Sequence, residues 1–116
     1  MGKSEQRKGR RAEIELCHIL AGYGYDMRPG KTVSFGTEPD VMGLPGIHIE
    51  VKRRDKTDIA AALKQAAADA EKFGDGLPTV FTRGNREKWR VVMALDDFLK
   101  LYQNGRKPQE ERGSSP

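Results

Sequence analysis

Asp40, Glu50 and Lys52 set two carboxylates and an ammonium within thirteen residues of one another. They lie in Glu38-Pro39-Asp40-Val41 and in Glu50-Val51-Lys52 further along the chain. Residues 47–52 alternate Ile47, Ile49 and Val51 against His48, Glu50 and Lys52, the period of two expected of a strand, so Glu50 and Lys52 share a face. Residues 40–43 read as another short strand, and the Pro45-Gly46 turn between them predicts a β-hairpin. A three-residue loop at 44–46 would set Asp40 opposite Glu50, whereas a loop of two or four would send them to opposite faces. Two carboxylates, a backbone carbonyl and waters are the hard oxygen donors that Mg²⁺ or Mn²⁺ prefers. An ammonium beside them stabilises phosphate charge or positions an attacking water. That is a toolkit for phosphodiester hydrolysis. The competing reading is an amphipathic hairpin with a wet outer face, because Glu-x-Lys alone is common.

The elements that must hold these groups follow from the rest of the chain. Ser4 is a plausible N-cap, and from there to about residue 21 the chain avoids proline and places Gly9, Leu16, Cys17 and Leu20 along one helical stripe. Glu13 precedes Leu16, Cys17 and Leu20 by three, four and seven residues, so its carboxylate points to the core side, while Glu15 faces solvent. A carboxylate at a core edge is costly unless paired or cation-bound, which makes Glu13 a candidate third acid. Pairing with Arg10 one turn earlier is the alternative. After Gly22-Tyr23-Gly24, residues 25–28 read as a short strand, and residues 29–39 as a long loop.

Thr57 opens a second predicted helix with an apolar stripe of Ile59, Ala62, Leu63, Ala66, Ala70 and Phe73, its alanines allowing close approach to a sheet. Residues 74–76 stop it. Two more apolar strands are expected at 78–82 and 89–94 around a polar Gly84-Asn85 turn, then a helix from Asp96 or Asp97 to near Tyr102. The predicted order is α, β, β, β, α, β, β, α. Residues 1–103 form one predicted domain and 104–116, poor in apolar residues, a disordered polar tail.

Composition narrows the class. The 116 residues suffice for a single core, and the net charge is +4. No apolar run approaches a membrane span and the N-terminus lacks an apolar signal region, so a cytoplasmic protein with no membrane contact is expected. Cys17 is the single cysteine, which excludes an intrachain disulfide and thiolate zinc sites. Basic residues cluster in three places: Lys3, Arg7, Lys8, Arg10 and Arg11; Lys52, Arg53, Arg54 and Lys56; Arg83, Arg86, Lys88 and Arg90. Such clusters suit a polyanion or are a solvated surface. Aromatic residues, at 7%, are too few for a binder built on base stacking.

Taken together, the motifs resemble the PD-(D/E)XK nuclease superfamily, and within it the small archaeal-type Holliday junction resolvases with their phage and bacterial relatives. Lys8-Gly9-Arg10-Arg11-Ala12-Glu13 is similar to that group's first-helix motif, Pro39-Asp40 to its PD, and Glu50-Val51-Lys52 to its ExK, over roughly residues 8–94. The resemblance implies an α/β (α+β) restriction-endonuclease-like core, a central mixed sheet flanked by helices. It implies that Glu13, Asp40, Glu50 and the Val51 carbonyl bind Mg²⁺ or Mn²⁺ while Lys52 contacts the scissile phosphate and attacking water. Gln65 is either a polar residue near the site or a solvent-facing one, and Ser34 is similar to a loop serine of the resolvases. His48 shares the Glu50 face as a neighbour of the site or a surface residue; His18 and Cys17 read as structural; Trp89 either packs or stacks on a base.

The resulting expectation is a metal-dependent, structure-selective endodeoxyribonuclease acting as a homodimer, since cutting two strands requires two sites. Arg7, Lys8, Arg10, Arg11, Ser34, Arg53 and Arg54 would grip DNA. A nicking, repair or restriction-type nuclease is the alternative within the enzyme class, and a non-catalytic basic DNA-binding module the alternative outside it. Three acids facing phosphate would weaken a pure binder.

Overall fold

A computed structural model describes the backbone of residues 2–30 and 38–114, and the side chains of residues 9–30 and 38–105. The order of elements is α1 (Gly2–Ala21), β1 (Arg28–Pro29), β2 (Val41–Met42), β3 (Ile47–Arg53), α2 (Ile59–Phe73), β4 (Leu77–Arg83), β5 (Arg90–Val92) and α3 (Leu95–Ser114). The fold is α+β: a mixed sheet in the order β3-β4-β5, parallel between β3 and β4 and antiparallel between β4 and β5, with three helices. A separate antiparallel pair joins β1 to β2.

The predicted hairpin of residues 40–43 and 47–52 does not form. β2 ladders with β1 and β3 with β4, so β2 lies against β3 without a hydrogen-bonded register. Residues 44–46 do turn the chain, with the Ile47 amide donating to the Leu44 carbonyl at 3.2 Å. The physical reason lies in α2: Asp58 caps its start by accepting from the Ala61 amide at 3.0 Å, and Gly74, in the left-handed region at φ 60°, closes its end. This capped crossover returns β4 parallel to β3, matching Glu50 with Val80 and Lys52 with Thr82.

Two apolar layers sandwich the sheet. On one face Leu16 and Cys17 of α1 pack with Val41, Ile49 and Phe81; on the other, Ala62 and Ala66 of α2 pack on Val80. Alanines rather than larger residues let the α2 backbone lie close to β4. The helix α1 starts before Ser4, which therefore is not its cap. Glu15 keeps the solvent exposure expected of it, its side chain 41% exposed, and also accepts from Arg83 Nη2 at 3.0 Å and from Trp89 Nε1 at 3.4 Å, since Arg83 at the end of β4 reaches back to α1. Trp89 thereby packs against the core cluster around Leu16. The helix α3 continues beyond Tyr102 to Ser114, so the backbone of residues 104–114, expected as a disordered tail, is helical; Asp96 and Asp97 favour its first turn. Among the described residues no helix is long and apolar enough to cross a membrane.

Candidate active site

The sandwich changes the meaning of the alternation in β3. Its polar face lies beneath α2 instead of facing water, so His48 is 2% and Glu50 4% exposed. A buried carboxylate needs compensation. Lys52 supplies it, with Nζ 3.6 Å from Glu50 Oε2, and the same ammonium donates to Gln65 Oε1 at 3.1 Å. Gln65 meets both of its sequence readings: it is exposed on α2, and it holds the lysine from that side.

Asp40 is brought in by the base of its loop. The Gly30 amide donates to the Asp40 carbonyl at 2.7 Å, and a Cβ at Gly30 would collide with the Pro39 carbonyl, so the close approach requires glycine. Arg10 locks this joint to α1: its Nη1 donates to the Gly30 carbonyl at 2.6 Å and lies 3.6 Å from Glu13 Oε1. The pairing of Glu13 with Arg10 is therefore present. Burial, then Asp40 and, more weakly, Glu50 push the Glu13 carboxyl up to about 7 against the opposing pull of Arg10. Asp40 is exposed as a residue, yet the protein packed around its carboxyl, followed by Glu50 and Asp69, raises its pKa; Lys52 and His48 oppose.

Asp40, Glu50 and Gln65 open on a cleft of about 280 Å³ whose walls also include Asp69, His48 and Phe73, while Glu13 and Lys52 are not among the residues that line it. His48 is locked from behind, Nδ1 lying 2.9 and 3.0 Å from the two Asp75 carboxylate oxygens, with the Phe73 ring stacked at 6.3 Å. Burial lowers the His48 pKa, but Glu50 and Asp75 outweigh it and the net shift is upward. Sequence reasoning missed Asp69 and Asp75. The helical spacing of Gln65, Asp69 and Phe73 was the available signal for Asp69, while residues 74–76 read merely as a helix stop.

Oxygen donors are what a hard divalent cation takes, but among the described residues the group whose ligand atoms come within 4.8 Å of one another is His48, Glu50 and Asp69, and it includes neither Glu13 nor Asp40. Burial and then Asp40 raise the Glu13 pKa, with Glu50 the weakest contributor. Val51, whose carbonyl is the fourth expected donor, lies on β3 between Glu50 and Lys52. The basic residues divide. Arg11 and Arg54 are exposed. Arg53 donates to Asn85 Oδ1 at 2.8 Å and Arg10 is engaged as above, so both have internal partners. Ser34 and the side chains of Arg7 and Lys8 lie outside the described residues. Comparison with protein-family models, curated proteins and solved structures found no match.

Proposed function

We propose that this chain is a divalent-cation-dependent endonuclease of PD-(D/E)XK type, hydrolysing DNA phosphodiester bonds with preference for branched structures. The observation that carries the reading is Glu50, 4% exposed on β3 with Lys52 Nζ 3.6 Å away and Gln65 holding that ammonium; Asp40 lines the same cleft as Glu50, and Arg10 ties Glu13 to the segment that carries Asp40. Separate elements carry these three acids, and the burial of charge at Glu50 is hard to account for by stability alone.

In this reading Glu13, Asp40, Glu50 and the Val51 carbonyl hold Mg²⁺ or Mn²⁺. The ion supplies Lewis acidity toward the phosphate and lowers the pKa of a bound water. Lys52 would neutralise charge on the phosphate oxygens, and Gln65 holds its ammonium from the α2 side. Arg10 has a positioning role, tying Glu13 to the segment that carries Asp40. Arg11 and Arg54, both exposed, would meet backbone phosphates. Two such sites in a homodimer would cut both strands.

The test is to incubate purified protein with labelled four-way junction, flap and linear DNA, with Mg²⁺ or with EDTA. The reading expects Mg²⁺-dependent cuts, most efficient on a branched substrate, and none in EDTA. Undiminished cutting in EDTA would sink the metal mechanism, and equal cutting of all three substrates would remove the structural preference.

A further inference from the structure

Buried nitrogen without a partner marks a place in this cleft that the oxygen-only site does not use. His48 is 2% exposed, and its Nε2 has no hydrogen-bond partner. The nearest acid oxygen, Glu50 Oε1, is 3.8 Å away, too far for a hydrogen bond. On the other side of the ring Nδ1 meets the Asp75 carboxylate at 2.9 Å. A carboxylate accepts, so Nδ1 carries the proton in the neutral ring and Nε2 retains its lone pair. Carboxylate behind, lone pair in front, is the arrangement that orients and strengthens a metal-ligating imidazole. One ligand atom each from His48, Glu50 and Asp69 lie within 4.8 Å of one another.

We propose that His48 Nε2, Glu50 and Asp69 form a second cation site, selective for a divalent transition metal such as Zn²⁺, Co²⁺ or Mn²⁺ over Mg²⁺. Ligands about 2.0–2.2 Å from a common ion stand roughly 3–4 Å apart, so side-chain adjustments of about 1 Å close the site. The nitrogen donor sets the preference, because imidazole suits later first-row metals and Mg²⁺ favours oxygen. Glu50 would bridge this ion and the one held with Glu13 and Asp40. The inference goes beyond the nuclease reading, since it rests on His48, Asp69 and Asp75, and it can hold or fail whether or not DNA is cut.

The experiment is a metal titration of the full chain, stripped of metal, without DNA. Zn²⁺ should move the ¹⁵N resonance of His48 Nε2 to the position of a ligated nitrogen while the exposed His18 stays unmoved as internal control, and Mg²⁺, held through Glu50, should give His48 only a small shift. Visible absorption of Co²⁺ should report two ions bound per wild-type chain and one in His48→Asn and in Asp69→Asn. Asp75→Asn, which leaves all three ligands in place, should weaken Co²⁺ binding at this site by about 10- to 100-fold. Asp40→Asn should lose the other ion and keep the one that shifts His48. An unmoved His48 Nε2 in wild type, or unchanged Co²⁺ stoichiometry and affinity in both His48→Asn and Asp69→Asn, would overturn the site. Asp69 is half-buried on α2, so that variant serves as the arm least exposed to a folding defect, with circular dichroism as its check.

Discussion

Glu13 shows how one residue reports on the whole site. Its carboxyl titrates near 7 in the folded chain against an ordinary 4.5, chiefly from burial and then from Asp40, so the folded state favours the protonated form. Stability from this group is complete below about 4.5 and is lost as pH rises through about 7. In EDTA the melting temperature should therefore fall between pH 5.5 and 8. Glu13→Gln should flatten that part of the profile, with a difference at pH 8 on the order of 3 kcal/mol; a profile unchanged by the substitution would contradict the placement. Lys52 and the exposed arginines separate chemistry from grip. Lys52→Ala should remove most cleavage and weaken DNA binding only slightly. Arg11→Ala or Arg54→Ala, where the residue touches phosphate, should lower affinity for every sequence and reduce the salt slope by about one, as read by fluorescence anisotropy across salt. Asp40, Glu50 and Lys52 were legible because their order and spacing survive without knowledge of the fold. For Glu15 the helical angle said which way the side chain leaves, towards solvent, and not that Arg83 arrives from β4 to meet it.

At the scale of elements, β3, α2 and β4 place the site. The sequence alternation identified β3 correctly and its partner wrongly, since an adjacent turn argues for a hairpin whereas a parallel pair depends on a crossover whose return is not local. With α2 over β3, the face read as wet becomes buried, and His48 meets Asp75 only because the chain after Gly74 runs back beside β3. Alanine spacing in α2 was the legible part. Ala66 is fully buried against the sheet, so Ala66→Leu should destabilise by about 1–3 kcal/mol in urea unfolding by forcing α2 away from Val80. Because Gln65 and Asp69 lie either side of it on α2, the same substitution should weaken divalent-cation binding measured by calorimetry. Full stability with intact binding would mean that α2 does not set the distance between its polar residues and Glu50.

The whole molecule is elongated, 62 × 28 × 26 Å, and carries a row of exposed apolar residues on α3, Leu95, Phe98, Leu99 and Tyr102, with Val91 exposed on β5. The homodimer in the proposed function would use this surface. Sedimentation at micromolar protein should give twice the chain mass, and Phe98→Glu should return it to one; a wild-type monomer that still makes paired cuts would contradict the pairing. The far end of α3 was not legible because its residues are charged and contain a proline, features that read as tail. The central claim, that the three acids hold the cation for phosphodiester cleavage, is tested most directly by cleavage of labelled junction DNA in Mg²⁺ by wild type, Asp40→Asn and Glu50→Gln, each verified as folded by circular dichroism. The account predicts that cutting collapses in both variants while metal-free DNA affinity stays equal or rises, since each loses a negative charge facing phosphate. Folded variants that cut at the wild-type rate would contradict it.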